Sequence, residues 1–165
     1  MNLDLLSRED FVATLGGIFE HSPWVVEAVV DARPFGTIDR LHAAMVAAVM
    51  AAGPDRQLAL LQAHPELAGP LARSGGLTSA SAGEQASLGL DRLGEAEIAR
   101  FDRANEIYRA RFGFPFIIAV KAQRDRRAIL DALEMRAAHD RATELATALA
   151  EVAKIARFRL EGLAA

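Results

Sequence analysis

One polar patch in this sequence has the residue types and the setting that proton transfer requires. Residues 63–69 read Ala-His-Pro-Glu-Leu-Ala-Gly, in a chain whose remaining pattern is largely helical. Pro65 disfavours the helical conformation for His64, so we expect the preceding helix to end at Gln62. Histidine is the side chain whose ordinary pKa lies nearest neutrality, which makes His64 the best candidate acid or base. From spacing alone, a histidine that caps helix carbonyls is the alternative interpretation.

A second polar group lies on the next long predicted helix. Ser81, Glu84 and Gln85 stand at positions i, i+3 and i+4, so their side chains share one face, and Leu88 continues the row. A carboxylate on a face that meets apolar packing is a candidate partner for His64. A solvated helix face is the alternative interpretation of the same spacing.

Positive charges that could hold an anionic substrate occur in the second half of the chain. The candidates are Arg111, Lys121, Arg157 and Arg159. For the last two, charges that complement a helix dipole are the alternative interpretation. The other histidines are expected to be structural: His21, His42 and His139.

Several other kinds of chemistry lack their sequence patterns. The chain has no cysteine, which excludes a thiolate nucleophile, a disulfide and a thiolate zinc site. No His-Glu-x-x-His pair or aspartate cluster indicates a metal, and the Gly-Gly at residues 75–76 lacks the lysine of a phosphate loop. No Gly-x-Ser-x-Gly elbow is present. The sequence therefore predicts acid–base chemistry by a histidine and a glutamate, without metal or other cofactor.

The composition favours one helical domain. The 165 residues are 52% hydrophobic, rich in alanine and leucine, and carry a net charge of −3 with the two signs mixed. We expect a single-domain, all-α bundle that spans residues 1–165. The mixed charge does not indicate a nucleic-acid partner, and no apolar run reaches the roughly 18 residues of a membrane span. The N-terminus lacks a signal-peptide pattern, so a cytoplasmic location is expected.

Apolar spacing and capping residues predict about eight helices that position these groups. Helix starts are expected after Ser7, at Ser22-Pro23, after Thr37, after Thr78 and after Asp140. The stretch 69–76, with a proline, three glycines and a serine, is expected to be a loop. The predicted boundaries are about 8–15, 55–62, 95–110, 126–137 and 141–160.

A second unusual stretch follows the helix predicted over 95–110. Residues 111–120 hold three phenylalanines, a glycine and a proline, and then an apolar run rich in β-branched residues. No partner strand is evident elsewhere, so we expect an extended segment that lines a pocket rather than a strand. Its backbone amides need hydrogen-bond partners, and a ligand is one way to supply them.

Three separated motifs together resemble the 2-oxo-4-hydroxy-4-carboxy-5-ureidoimidazoline (OHCU) decarboxylases of purine catabolism. They are His-Pro-Glu-Leu-Ala-Gly at residues 64–69, Leu-Thr-x-x-Ser-x-x-Glu-Gln at 77–85 and Tyr-x-x-Arg-Phe-Gly-Phe-Pro-Phe at 108–116. The opening stretch 15–24 and the closing stretch 151–160 are similar to the same family. The resemblance thus covers nearly the whole chain, in order.

The resemblance implies an all-helical enzyme that removes CO2 from OHCU to give (S)-allantoin without a cofactor. It implies His64 as the catalytic acid or base, with Glu84 as its assistant in our interpretation, and a homodimer as the assembly. Arg159 is our weaker choice for the partner of the substrate carboxylate. The family resemblance also implies these substrate contacts: Pro65, the helical run Ser81, Ala82, Gly83, Glu84 and Gln85, and the extended run Phe116, Ile117, Ile118, Ala119 and Val120.

Two features depart from the family pattern, and two other functions stay open. Lys121-Ala122 stands where a basic residue followed by glycine is expected, and the stretch 70–76 is short and glycine-rich. Neither departure involves His64 or Glu84. A helical binding module without catalysis, and a different small-molecule lyase or hydrolase on the same scaffold, are the alternatives.

Overall fold

Helices account for all the regular secondary structure in residues 2–164, which are the residues that the computed structural model describes. The predicted all-α class is confirmed, and no β-strand occurs in this range. The described chain has nine α-helices, one more than expected: α1 (Arg8–Leu15), α2 (Trp24–Val29), α3 (Ile38–Ala51), α4 (Pro54–Gln62), α5 (Pro70–Ser74), α6 (Ser79–Ala86), α7 (Glu95–Phe112), α8 (Arg126–Arg136) and α9 (Arg141–Ala164). Short 3-10 helices cover Leu3–Leu5, Val30–Ala32 and Val120–Ala122.

The chain divides into two compact units. The first comprises Met1–Ala63 together with Ala156–Ala165, and the second comprises His64–Ile155. Every helix except α9 belongs to one unit. None of the helices within residues 2–164 combines the length and the hydropathy that a bilayer crossing needs.

The first unit is built by α1 to α4 and the last part of α9. In it α2 packs against α3 and α1, and α3 packs against α4. Its apolar core includes Phe11, Val25, Met45 and Leu61, all fully buried. Burial of such side chains stabilises a fold by about 1.5–3 kcal/mol each.

The second unit holds both unusual stretches of the sequence. In it α7 packs against α8, and α6 packs against the 3-10 helix Val120–Ala122. The core is aromatic: the Tyr108 ring lies 4.7 Å from Phe112, 6.0 Å from Phe114 and 5.5 Å from Phe116, measured between ring centroids. These phenylalanines belong to the stretch 111–120, which has no regular secondary structure from residue 115 to residue 119. Its Ala119 has an extended backbone.

Most predicted helix starts are confirmed by a side-chain cap. The hydroxyls of Ser7, Thr37 and Thr78 each accept a hydrogen bond from the amide three residues ahead. The Asp140 carboxylate likewise accepts the Thr143 amide at 2.9 Å. Each such cap satisfies a backbone donor that the first turn leaves without a partner.

Two local predictions are wrong. The Ser22 hydroxyl does not cap α2; it donates to the Glu20 carbonyl at 3.0 Å, and the helix begins at Trp24 after Pro23. The stretch 69–76 is not all loop, because Pro70–Ser74 forms α5. Pro70 is suited to a first helical position, and Gly75, at φ +77°, adopts the left-handed conformation that ends a helix.

Two helices also run past their predicted ends. The helix predicted over 95–110 continues to Phe112, where Gly113, at φ +79°, closes it. The last helix extends to Ala164 rather than to residue 160. Its final residues include one glycine and no proline, so no strong stop signal ends it earlier.

Candidate active site

His64 lies directly after the end of a helix, as the sequence predicts. Helix α4 ends at Gln62, Ala63 is its C-cap, and His64 opens the irregular stretch 64–69. The residue is 8% exposed, so it is part of a buried surface rather than of a solvated loop. Pro65 and Glu66 beside it are half-buried. This setting excludes a freely solvated imidazole.

Side chains from two helices hold the stretch 64–69 in place. The Ala68 amide donates to Gln85 Oε1 of α6 at 2.9 Å, and Asn105 Nδ2 of α7 donates to the Leu67 carbonyl at 2.9 Å. The Glu66 carboxylate forms an ion pair with Arg109 of α7 at 2.6 Å. The histidine segment is therefore bonded to the helix that carries Glu84.

Helix α6 presents its predicted polar face in part to the interior. Ser81 and Gln85 are buried and Glu84 is half-buried, whereas Ala82 and Gly83 are exposed. The glutamate thus lies at the edge of a buried polar surface, where a carboxylate can exchange protons with a bound molecule. The predicted continuation of this row through Leu88 is wrong, because α6 ends at Ala86.

The extended segment is anchored at two backbone groups and leaves others without partners. Its five candidate residues, 116–120, are all buried. Arg136 Nη1 donates to the Ile117 carbonyl at 2.8 Å, and the Ala119 amide donates to Glu151 Oε2 at 2.8 Å. Among residues 2–164, the amides of Ile118 and Val120 have no hydrogen-bond partner. Buried amides are nearly always satisfied, so these two are suited to a ligand.

A buried charged cluster supports the start of this segment. The Glu144 carboxylate of α9 accepts hydrogen bonds from Arg136 Nε at 2.7 Å and from the Tyr108 hydroxyl at 2.5 Å. His139 Nδ1 lies 3.0 Å from the same carboxylate, and the Arg136 guanidinium lies 4.4 Å from the Phe116 ring centroid. Burial, and then the hydrogen bond to Glu144, raise the pKa of the Tyr108 hydroxyl far above its usual value.

Sequence reasoning missed the residues that hold the two irregular stretches. The missed residues are Asn105, Arg136, Glu144 and Glu151. A signal for the two glutamates was present, since they share a helix row with Ala148 and Ile155 and so place carboxylates on an apolar face. Asn105 and Arg136 carry no comparable signal.

Structural partners are present for three of the candidate cations: Arg111, Arg157 and Arg159. Arg159 belongs to the first unit, where its Nη1 group lies 2.8 Å from Glu20 Oε2 and both side chains are buried. Arg157 pairs with Glu161 and Asp39. Arg111 donates to the His139 carbonyl at 3.0 Å, and Lys121 is exposed. The predicted substrate contact of Arg159 stays a prediction.

Within the second unit, the structure brings three predicted pieces of the site together. Gln85 joins the stretch 64–69 to α6, and α6 packs against the 3-10 helix that begins at Val120. This arrangement offers an imidazole, a half-buried carboxylate and unpartnered amides, which suits a small polar ring with several carbonyl groups. No group of three or more His, Asp or Glu side chains within residues 2–164 is arranged to hold a metal ion.

Comparison with known proteins identifies the family of the chain. The family model described as OHCU decarboxylase matches residues 4–161. The chain belongs to the OHCU decarboxylase family. The family suggested by the three sequence motifs is thereby confirmed.

Relatives of known name extend over nearly all of this chain. It is 46% identical over 155 residues to a 2-oxo-4-hydroxy-4-carboxy-5-ureidoimidazoline decarboxylase of Haloferax volcanii, a match that covers 94% of this chain and 89% of that protein. It is 40% identical to a uric acid degradation bifunctional protein of Bacillus subtilis, over 96% of this chain and 31% of that protein. A crystal structure of an (S)-allantoin synthase matches with a TM-score of 0.75 at 34% identity, over 97% of this chain and 52% of that chain.

Proposed function

We propose that this protein removes CO2 from OHCU to give (S)-allantoin in urate degradation, with His64 and Glu84 as its acid–base pair. Membership of the OHCU decarboxylase family makes it a carboxy-lyase. The observation that supports the residue roles best is the hydrogen bond from Ala68 to Gln85, which joins the His64 segment to the helix of Glu84.

The reaction sets clear demands on the site. OHCU carries a carboxylate on a ring carbon that also bears a hydroxyl group. When the bond to the carboxylate breaks, its electron pair stays with the ring, and a proton must then be added from one face. The site therefore needs a group that guides the departing carboxylate and a proton donor on one face of the ring. It also needs hydrogen-bond donors that stabilise the negative charge on the ring. No cofactor is required in this scheme.

We assign these tasks to residues of the two stretches and of α6. His64 would lie near the carboxylate and the hydroxyl group, and Glu84 would move a proton at the ring or the adjacent hydroxyl. General acid–base help of this kind is typically worth about 10²–10⁴-fold in rate. Orientation in a closed pocket would add to it and would fix the handedness of the product.

Binding would rest mainly on backbone groups. The Ile118 and Val120 amides, without partners within residues 2–164, would donate to the carbonyl edges of the ring. The α6 run 81–85 would contribute buried side chains at Ser81 and Gln85, and Ala82 and Gly83, if they touch substrate, would do so through the backbone. Pro65 would pack beside the ring, and Arg159 is retained as the candidate partner of the carboxylate.

The assembly and setting are part of the same proposal. We infer one functional domain over residues 1–165, a homodimer and a cytoplasmic location, as the family resemblance implies. A sedimentation measurement of molar mass would test the dimer, with the 17.7 kDa monomer as the contrary result.

The experiment supplies freshly generated OHCU and follows chiral allantoin by circular dichroism. The wild-type protein should produce an (S)-allantoin signal faster than the spontaneous reaction. His64→Ala should lose about 10²–10⁴-fold of this rate, the size expected for a general acid or base, and keep the far-UV spectrum of the fold. His42→Ala, which changes a half-buried histidine on α3, should keep full activity.

The two parts of the proposal fail separately in this assay. Wild-type protein that does not accelerate the reaction would overturn the proposed activity. A His64→Ala variant with wild-type turnover would overturn only its catalytic role. For Glu84→Gln, an unchanged rate together with unchanged product handedness would remove that carboxylate from the mechanism.

A further inference from the structure

One peptide group in the stretch 64–69 is held from both of its edges. The Leu67 carbonyl and the Ala68 amide belong to the same peptide unit. Asn105 Nδ2 donates to the carbonyl, and Gln85 Oε1 accepts from the amide, each at 2.9 Å. The two amide side chains come from different helices, and they are 3% and 2% exposed. We call this arrangement of Asn105, Gln85 and one peptide the amide clamp.

The clamped peptide holds its neighbour in an unfavourable conformation. Ala68 has φ +53°, in the left-handed region that residues other than glycine rarely adopt, and it is fully buried. Rotation of the Leu67–Ala68 peptide by about half a turn would return this φ to the ordinary negative range. The same rotation would break both hydrogen bonds and point the carbonyl and amide at the wrong partners. The clamp therefore maintains a backbone geometry that the local chain disfavours.

The clamp also fixes which way each side-chain amide faces. Because Gln85 accepts through Oε1, its Nε2 donor is directed elsewhere, and because Asn105 donates through Nδ2, its Oδ1 acceptor is left over. Neither leftover atom has a hydrogen-bond partner among residues 2–164. The polarity of one backbone peptide thus sets the donor and acceptor pattern of two buried side chains beside the candidate site.

We propose that Asn105 is a positioning residue for the reaction, which acts through the Leu67–Ala68 peptide to hold His64 in its working place. This proposal rests on the proposed function for its kinetic readout. Asn105 contacts the backbone at Leu67, three residues after His64. Glu66 lies between these two residues in the chain, and its carboxylate forms an ion pair with Arg109, which is also on α7. Release of the peptide would let the segment relax toward an ordinary φ at Ala68 and move the imidazole.

The test uses Asn105→Asp, which keeps the shape of the side chain and removes the donor to the Leu67 carbonyl. We expect kcat to fall about tenfold to a hundredfold with KM within about threefold, because misplacement of a reacting group lowers the rate of the chemical step. If Asn105→Asp does not fold, Asn105→Ser serves instead, since its hydroxyl is too short to reach the carbonyl.

A matched control separates positioning from general loss of stability. Gln57 is also an amide side chain that donates to backbone carbonyls, those of Val49 and Met50 at 3.1 Å, and it belongs to the first unit. Gln57→Ala should lower stability and leave kcat unchanged. Equal kcat losses in Gln57→Ala and in the Asn105 variant would overturn the positioning role, as would an Asn105 variant with wild-type kcat.

A measurement without substrate distinguishes this proposal from the proposed function. In wild-type protein the Ala68 amide should be protected from hydrogen exchange, and in the Asn105 variant it should exchange at least about tenfold faster while core amides of α7 stay protected. Unchanged protection of Ala68 would overturn the clamp. Wild-type protein with a protected Ala68 but without OHCU turnover would instead overturn the proposed function.

Discussion

The two irregular stretches of the second unit are held in place by different chemistry. The stretch 64–69 is held chiefly by neutral amides, Asn105 and Gln85, on one peptide group. The segment 115–119 is held by charged side chains, Arg136 on the Ile117 carbonyl and Glu151 on the Ala119 amide. Both stretches are largely buried, and both leave polar atoms without partners among the described residues.

The difference shows how a small helical protein can hold non-helical backbone in its interior. The Asn105 and Gln85 side chains are uncharged, so the clamp itself adds no net charge to the stretch that carries His64. A charged anchor can be stronger, but its members must neutralise one another, as Arg136 and Glu144 do. We therefore expect the loss of the charged anchor, formed by Arg136, Glu144 and Glu151, to have the larger effect on the free energy of unfolding. The loss of the amide clamp should have the larger effect on kcat.

The largest expected effect on stability comes from the charged anchor. Arg136→Ala leaves the buried Glu144 carboxylate without its guanidinium and should lower the free energy of unfolding by about 3–5 kcal/mol. Arg100→Ala removes one side of an exposed ion pair with Glu134 and should cost less than about 1 kcal/mol. Urea unfolding of both variants measures the contrast, and equal losses would remove the distinction between the two kinds of anchor.

Breaking the amide clamp should lower the free energy of unfolding by less than Arg136→Ala does. Asn105→Ala leaves the buried Leu67 carbonyl without a donor, which typically lowers the free energy of unfolding by about 1–3 kcal/mol. The same urea titration measures it. A loss as large as that of Arg136→Ala would mean that the clamp, and not the charged cluster, holds the second unit together.

High pH should weaken the buried contact between Tyr108 and Glu144. Since the pKa of Tyr108 is raised by burial and by Glu144, the tyrosine stays protonated in the folded protein while it ionises near 10.0 in the unfolded chain. Its contribution is complete below pH 10 and is lost above it, by about 1.4 kcal/mol per pH unit. In thermal melts the stability gap between wild type and Tyr108→Phe should therefore narrow above pH 10, whereas a constant gap would contradict this assignment.

A smaller loss of stability is expected when either of two N-cap side chains is removed. Thr78→Ala and Ser7→Ala each remove a side-chain N-cap, worth about 1 kcal/mol. Thr78 caps α6, the helix that carries Glu84, whereas Ser7 caps α1. Only the Thr78 variant should therefore also lower OHCU turnover. Loss of activity in Ser7→Ala of the same size would show that the activity follows overall stability and not the placement of α6.

Local signals in the sequence were sufficient for most helix starts and for the position of His64. Pro65 predicted the end of α4 at Gln62, and Thr78 predicted the start of α6, because both effects depend on neighbouring residues alone. The two anchors depend on side chains far apart in sequence: Asn105 reaches Leu67, and Arg136 reaches Ile117. Nothing in the local pattern of α7 or α8 indicates such a partner, so the contacts of Asn105 and Arg136 could not be predicted.

In the proposed site, both irregular stretches face one small molecule. Titration of isotope-labelled protein with (S)-allantoin, followed by NMR, tests it most directly. We expect the His64 ring signals and the Ile118 and Val120 amide signals to shift together, with one dissociation constant. Shifts confined to one of the two stretches, or two different dissociation constants, would contradict it.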